Sequence, residues 1–133
     1  MDGLVVDPRE RQVGAFVLIV DDKPETLHLL ARALESEGIE VRTASSVFRA
    51  LEMLHDGSPR PALIITDLVM PRTTGWDFLK HLRAESAMRS LPVIVITGAE
   101  PGESEGLADV VLQKPIDPVE LGKTVRGLLT KSS

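Results

Sequence analysis

Short apolar runs that recur along the chain constrain the fold more than any other feature of the sequence. The runs FVLIV, ALII and VIVI are continuously apolar, without the alternation of polar and apolar residues typical of a half-exposed strand. Such strands are typical of a parallel sheet that is covered on both faces. We predict strands at Phe16–Val20, Ile39–Thr43, Ala62–Thr66, Val93–Ile96 and Val110–Leu112.

Helical patterns separate these runs. After the first run, apolar residues are spaced as on one face of a helix, at Leu27, Leu30, Ala31 and Leu34. Pro24 is suited to begin this helix, and Gly38 is suited to end it. The same spacing recurs in Val47–Leu54 and Gly75–Leu82. Asp117, followed by proline and then by glutamate, predicts the start of a last helix.

Strands that alternate with helices predict right-handed crossovers and a sheet with helices on both faces. The fold class is therefore α/β, a (βα)5 doubly wound parallel five-stranded sheet of flavodoxin-like order 2-1-3-4-5. The fourth helix should be shortened, because Gly98–Asp109 reads GAEPGESEGLAD and has little apolar stripe. We expect residues 1–14 to be a flexible N-terminal lead-in and residues 15–131 to form the domain.

Composition excludes several classes of function. The net charge of −5 and pI near 5.2 argue against nucleic acid as a partner, since no basic cluster could neutralise phosphates. The chain has no cysteine, which excludes disulfides and thiolate metal sites. No apolar run approaches the roughly 20 residues that span a bilayer. We expect a cytoplasmic protein without a membrane partner.

Polar side chains follow the predicted strands at one rim of the sheet. Asp21 and Asp22 end the first strand, Asp67 the third and Thr97 the fourth, while Lys114 follows the fifth. Ligands bind at this rim in open parallel sheets. Converging carboxylates suit Mg²⁺, a hard cation that prefers oxygen ligands. A carboxylate at a strand end can also attack a phosphoryl group, whose oxygens an ammonium and a hydroxyl would then stabilise.

Four motifs at this rim, VLIVDDKPE, IITDLVMPRTTG, VIVITG and LQKPID, resemble those of the receiver domains of two-component response regulators, the CheY-like family. The resemblance covers Phe16 to Leu129. It implies that Asp67 is the phosphoacceptor and that Thr97 and Lys114 hold the phosphoryl group.

The resemblance also implies a magnesium site. Asp22 matches a direct Mg²⁺ ligand, and Asp21 matches one that acts mainly through water. The backbone carbonyl of Val69 matches a further ligand, beside Asp67 itself. The implied phosphodonor is a sensor histidine kinase or a phosphotransfer protein. The chain would signal through an unknown downstream protein. It would not be an enzyme, since it would catalyse only its own phosphorylation and dephosphorylation. Whether the chain also forms a homodimer is not decided by the resemblance.

The sequence departs from the family pattern at Val111. Receivers usually carry Tyr or Phe at that position, where the ring reorients when the equivalent of Thr97 moves. The interval between Thr97 and Lys114 is also short for the family. Elsewhere, the histidines are interpreted as partly exposed residues of separate helices, without metal-ligand spacing. They are His28, His55 and His81.

Three other functions compete with this one. A degenerate receiver that serves only as a docking module is consistent with Val111. A phosphatase of the haloacid-dehalogenase type also forms an aspartyl phosphate, but it needs a D-x-D pair that VDDKPET does not supply. Nucleotide or flavin binding would need a first loop rich in glycine or hydroxyl groups, and Asp22-Lys23-Pro24 has the wrong chemistry for it.

Overall fold

Five parallel strands form one sheet in the computed structural model, which describes residues 16–55, 59–68, 75–98 and 107–132. The order across the sheet is 2-1-3-4-5, as predicted. Because the inner strands are buried along their whole length, their runs contain no polar alternation. The strands are β1 (Val17–Val20), β2 (Val41–Ala44), β3 (Leu63–Asp67), β4 (Val93–Thr97) and β5 (Val110–Gln113).

Helices cover both faces of this sheet. Within the described residues they are α1 (Pro24–Glu35), α2 (Val47–His55), α3 (Gly75–Ala84) and α4 (Pro118–Ser132). The buried residues of α2 and α3 belong to one hydrophobic cluster, and those of α1 and α4 belong to another. The doubly wound fold is thereby confirmed. The predicted short helix between β4 and β5 falls largely on residues 99–106, and the predicted lead-in on residues 1–14, all outside the described residues.

Local sequence signals account for the starts of α1 and α4. Pro24 is the first residue of α1, where a missing N–H costs no hydrogen bond. Asp117 precedes α4, and its Oδ1 accepts a hydrogen bond from the Val119 N–H at 2.9 Å. No helix among the described residues is both long enough and apolar enough to cross a bilayer.

The strand boundaries differ from their predictions by no more than one residue, except at the start of β2. β2 begins at Val41 rather than at Ile39, because the Ile39 N–H caps the preceding helix α1, which ends at Glu35. Gly38 has a φ of 84°, the left-handed conformation that favours glycine, and the Ile39 N–H donates to the Leu34 carbonyl at 3.2 Å. Ile39 therefore caps α1 instead of starting a strand.

Arg83 of α3 holds the chain together near the amino-terminal ends of β4 and β5. Its guanidinium donates to the Leu107 carbonyl at 3.0 Å and to the Leu91 carbonyl at 2.7 Å. It also donates to Asp109 Oδ2 at 3.2 Å, and the same oxygen accepts a 2.8 Å hydrogen bond from the Val93 N–H. One side chain thus joins α3 to the segments that enter both strands.

Candidate functional site

The buried polar side chains of the described residues gather at the carboxyl end of the sheet. Asp21 and Asp67 are only 2% and 4% exposed, and Thr66 and Thr97 are fully buried. Asp21 directly follows β1, whereas Asp67 and Thr97 are the last residues of β3 and β4. Buried carboxylates are costly unless they are paired or bind a cation. This end of the sheet is therefore the candidate site.

Strand register places two of the carboxylates side by side. Val20 of β1 pairs with Thr66 of β3, so the next residues, Asp21 and Asp67, leave neighbouring strands at the same level. Lys114, just after β5, reaches across to both. Its Nζ lies 3.0 Å from Asp67 Oδ2 and 3.9 Å from Asp21 Oδ2. The structure thus brings together three of the side chains that the sequence assigned to one site.

Burial raises the pKa of Asp21 above its ordinary value of 3.8. The hydrogen bond from the Lys23 N–H to Asp21 Oδ1, 2.8 Å long, opposes that shift. The negative charge of Asp67 raises the pKa further, and the ammonium of Lys114 lowers it. Desolvation outweighs the favourable contacts, so the ionised form of Asp21 is disfavoured unless another cation approaches.

Asp22 offers an oxygen to such a cation. Its Oδ1 is buried, and none of the described residues donates a hydrogen bond to it. The Lys23 ammonium lies 3.9 Å from this oxygen, within ion-pair range but too far for a hydrogen bond. A buried carboxylate oxygen without a donor, on the residue that follows the buried Asp21, fits the oxygen-rich ligand set of Mg²⁺. The predicted ligand Val69 lies outside the described residues.

Backbone pairing connects Thr97 with Lys114. The two strands are in register, with Thr97 opposite Gln113, and the Lys114 N–H donates to the Thr97 carbonyl at 2.8 Å. The two residues that were predicted to hold a phosphoryl group therefore sit on adjacent backbones at the edge of the carboxylate pair. Thr97 is buried, while the Lys114 side chain is 28% exposed.

Gly75 allows α3 to begin against the end of β3. A Cβ at this position would overlap the Asp67 carbonyl oxygen and would come within 2.8 Å of the Leu68 Cα. The Gly75 N–H donates to the Leu68 carbonyl at 2.8 Å. Only glycine permits this approach without a shift of the backbone. The first turn of α3 is consequently fixed beside the predicted phosphoacceptor.

Two observations add to the sequence interpretation. Val111 is partly buried and packs against the cluster that contains α2 and α3. His55 and His81, which were interpreted as unrelated helix residues, have their Nε2 atoms 3.3 Å apart. The three histidines do lie on separate helices with partly exposed side chains, as predicted, but the fold brings two of them within hydrogen-bond distance. No pattern in the sequence points to the contact, because it depends on how α2 packs beside α3.

Known proteins share this fold and resemble this chain in sequence. The family model described as the response regulator receiver domain matches residues 17–126. The response regulator Rre1 of Synechocystis is 36% identical over 121 residues, which cover 86% of this chain and 52% of the relative. The chain spans about half the length of the first curated relatives that it matches.

Solved structures agree with the family model. The chemotaxis response regulator CheY4 of Vibrio cholerae superposes with a TM-score of 0.77 at 33% identity, covering 86% of this chain and 98% of that one. The response regulator protein TrrA of Thermotoga maritima, solved in complex with Mg²⁺ and BeF, gives a TM-score of 0.74 at 29% identity. That alignment covers 84% of this chain and 96% of TrrA.

Proposed function

The chain belongs to the receiver domains of two-component response regulators, and on that premise we propose that it accepts a phosphoryl group on Asp67 in an Mg²⁺-dependent reaction. The phosphodonor would be a sensor histidine kinase or a phosphotransfer protein. The observation that carries the proposal is the contact of the Lys114 ammonium with the buried Asp67 carboxylate, beside Asp21.

The proposed reaction is a direct transfer to the Asp67 carboxylate. One carboxylate oxygen forms a bond to phosphorus while the bond from phosphorus to the donor imidazole nitrogen breaks. The bonding electron pair stays with the departing imidazole, and the product is an acyl phosphate. Asp67 suits this role because it ends an inner strand as a single carboxylate whose position is fixed by the sheet.

Lys114 and Thr97 would hold the transferred group. The Lys114 ammonium already lies within 3.0 Å of Asp67 Oδ2, so it can remain close to a phosphoryl oxygen attached there. Thr97 ends the adjacent strand, and its hydroxyl could donate to another of those oxygens. Both groups would act by orienting the phosphoryl group and balancing its charge.

Asp21, Asp22 and Asp67 would hold the magnesium ion. The fit rests on the buried Asp22 Oδ1 without a donor among the described residues, and on the unfavourable ionisation of Asp21. The structural relative TrrA was solved with Mg²⁺. When bound, the ion would neutralise charge on the phosphoryl oxygens. The carbonyl of Val69 remains a predicted additional ligand.

The output of the switch is proposed to be a contact with another protein. The chain would catalyse only its own phosphorylation and dephosphorylation, and it would act in the cytoplasm. The alignment covers only 52% of the length of Rre1, so the proposal concerns the receiver domain and not the activity of the longer relatives. A docking module without phosphoryl chemistry is the competing function, since Val111 replaces the usual aromatic residue.

Labelling with a small phosphodonor tests the proposal. After incubation with acetyl phosphate and Mg²⁺, intact-mass spectrometry should show a single added phosphoryl group that is lost at alkaline pH. Asp67→Asn should abolish the label. Asp77→Asn, a matched change on the exposed surface of α3, should leave it intact. Removal of Mg²⁺ by a chelator should reduce labelling of the parent chain strongly.

Two outcomes would contradict the proposal. If Asp67→Asn is labelled as well as the parent chain, the assignment of the phosphoacceptor is wrong. If the correctly folded parent chain takes no label with Mg²⁺ present, the docking module becomes the better interpretation.

A further inference from the structure

Two histidines and a glutamate form a compact cluster away from the carboxyl end of the sheet. His55 is the last residue of α2, His81 lies in the last turn of α3, and Glu85 follows that helix. The two histidine Nε2 atoms are 3.3 Å apart. Glu85 Oε1 lies 3.6 Å from the nitrogen of His55 and 3.4 Å from that of His81. Three potential ligand atoms thus form a nearly equilateral triangle.

This triangle has the size of one face of a metal coordination tetrahedron. With metal–ligand bonds of about 2.0 Å, tetrahedral ligand atoms lie about 3.3 Å apart. The measured edges of 3.3, 3.4 and 3.6 Å are close to that spacing. Imidazole nitrogens with one carboxylate oxygen suit Zn²⁺ and similar transition-metal ions better than Mg²⁺. A fourth position would remain open to water or another ligand.

The two helices bring their carboxyl ends, and the partial charges there, to the cluster. Leu54 of α2 and Leu82 of α3 are buried in the same hydrophobic cluster, so the last turns of both helices pack on one core. His81 and Glu85 are four positions apart and share one side of α3. The carboxyl ends of both helices meet at the cluster, and their partial negative charges favour a cation there. The three side chains are partly exposed, so an ion can reach them.

We propose that His55, His81 and Glu85 bind a Zn²⁺-class transition-metal ion that joins the end of α2 to the end of α3. This site is separate from the magnesium site, because it uses no residue of the carboxyl end of the sheet. Without an ion, the two imidazoles can share one proton in a hydrogen bond, which is the competing explanation of their contact. Metal binding distinguishes the two explanations.

The test is a Zn²⁺ titration of the full chain, prepared without a polyhistidine tag and with Mg²⁺ in excess. Competition against a chromogenic chelator should show one Zn²⁺ per chain with a dissociation constant in the micromolar range. His55→Ala and His81→Ala should each weaken binding by about tenfold or more, since each removes a direct ligand. His28→Ala is the matched control, because it removes the remaining histidine of the chain, which lies on α1.

Thermal unfolding provides a second measurement that also checks folding. The metal-free variants should unfold cooperatively, and Zn²⁺ should raise the Tm of the parent chain and of His28→Ala but not of His81→Ala. The proposal is overturned if the parent chain binds Zn²⁺ only in the millimolar range. It is equally overturned if His81→Ala binds as tightly as the parent chain, or if His28→Ala loses binding to the same extent.

Discussion

Near the amino-terminal ends of β4 and β5 an arginine and an aspartate pair with each other and with the backbone, whereas at the carboxyl ends of the sheet the carboxylates outnumber the lysines beside them. Arg83 and Asp109 form an ion pair and also bond the backbone around them. At the other end, Asp21 and Asp67 share the ammonium of Lys114. The paired end stabilises the fold, and the excess of carboxylates at the other end supports the proposed cation site.

Removal of Arg83 should have the largest effect on stability. Arg83→Ala removes the donor to the Leu91 and Leu107 carbonyls and one of the two donors to Asp109 Oδ2, so the free energy of unfolding should fall by about 2–3 kcal/mol. Urea denaturation followed by circular dichroism measures the change.

Arg126→Ala is the matched control for this experiment. Arg126 also bonds a carbonyl and a carboxylate, both of Glu37 at 2.9 Å, but its side chain is more than half exposed. Its loss should cost less than about 1 kcal/mol. Equal losses for the two arginines would mean that the Arg83 network is no more stabilising than a surface ion pair.

Removal of Lys114 should have a smaller effect that depends on the metal. Lys114→Met leaves Asp21 and Asp67 without their shared ammonium, and in metal-free buffer the free energy of unfolding should fall by about 1–2 kcal/mol. The loss is limited because the lysine is partly exposed.

The variant should also bind Mg²⁺ more tightly, since a competing positive charge has been removed. Calorimetric titration measures that affinity, and Lys123→Met on the exposed surface of α4 serves as the control. Unchanged Mg²⁺ affinity in Lys114→Met would show that the ammonium and the metal do not share the same carboxylates.

Neutralising Asp21 should have the smallest effect on stability, and it should raise the free energy of unfolding rather than lower it. Burial raises the pKa of Asp21, so the folded state binds its proton more tightly than the unfolded state does. This carboxyl therefore costs stability as the pH rises from 3.8 through the raised value, and the cost persists at neutral pH. Asp21→Asn, which keeps an acceptor for the Lys23 N–H, should stabilise the metal-free chain by less than Lys114→Met destabilises it.

Denaturation of Asp21→Asn and the parent chain at several pH values checks this sign. The difference between them should shrink as the pH falls toward 3.8, where the parent carboxyl also becomes neutral. A variant that is less stable than the parent at neutral pH, without metal, would show that the charge of Asp21 is already compensated within the chain.

The grouping of polar residues at the carboxyl end of the sheet could be predicted from the sequence, whereas the side-chain contacts at the amino-terminal end could not. Parallel strands all end at the same rim, so the runs that precede Asp21, Asp67 and Thr97 place these residues together without any knowledge of helix packing. The contacts of Arg83 depend on how the turn after α3 folds back toward β4. The pair His55–His81 depends on the packing of two helices that are distant in sequence.

The sequence pattern also did not predict the residue at which β2 begins. Ile39 is apolar and suits a strand, but the left-handed Gly38 turns its N–H back to the end of α1. Local hydrogen bonding therefore prevailed over the apolar pattern. The predicted ligand Val69 and most of the shortened segment before β5 lie outside the described residues and stay predictions.

Thermal unfolding in increasing Mg²⁺ tests most directly whether the carboxyl end of the sheet is a cation site. The account predicts that Mg²⁺ raises the Tm of the parent chain, with about 1.4 kcal/mol of added stability at ten times the dissociation constant. Asp22→Asn should lose most of this shift, because it removes the negative charge beside the buried Oδ1 that has no donor among the described residues. Asp77→Asn should keep it. A Tm of the parent chain that does not respond to Mg²⁺, or an equal response in Asp22→Asn, would contradict the account.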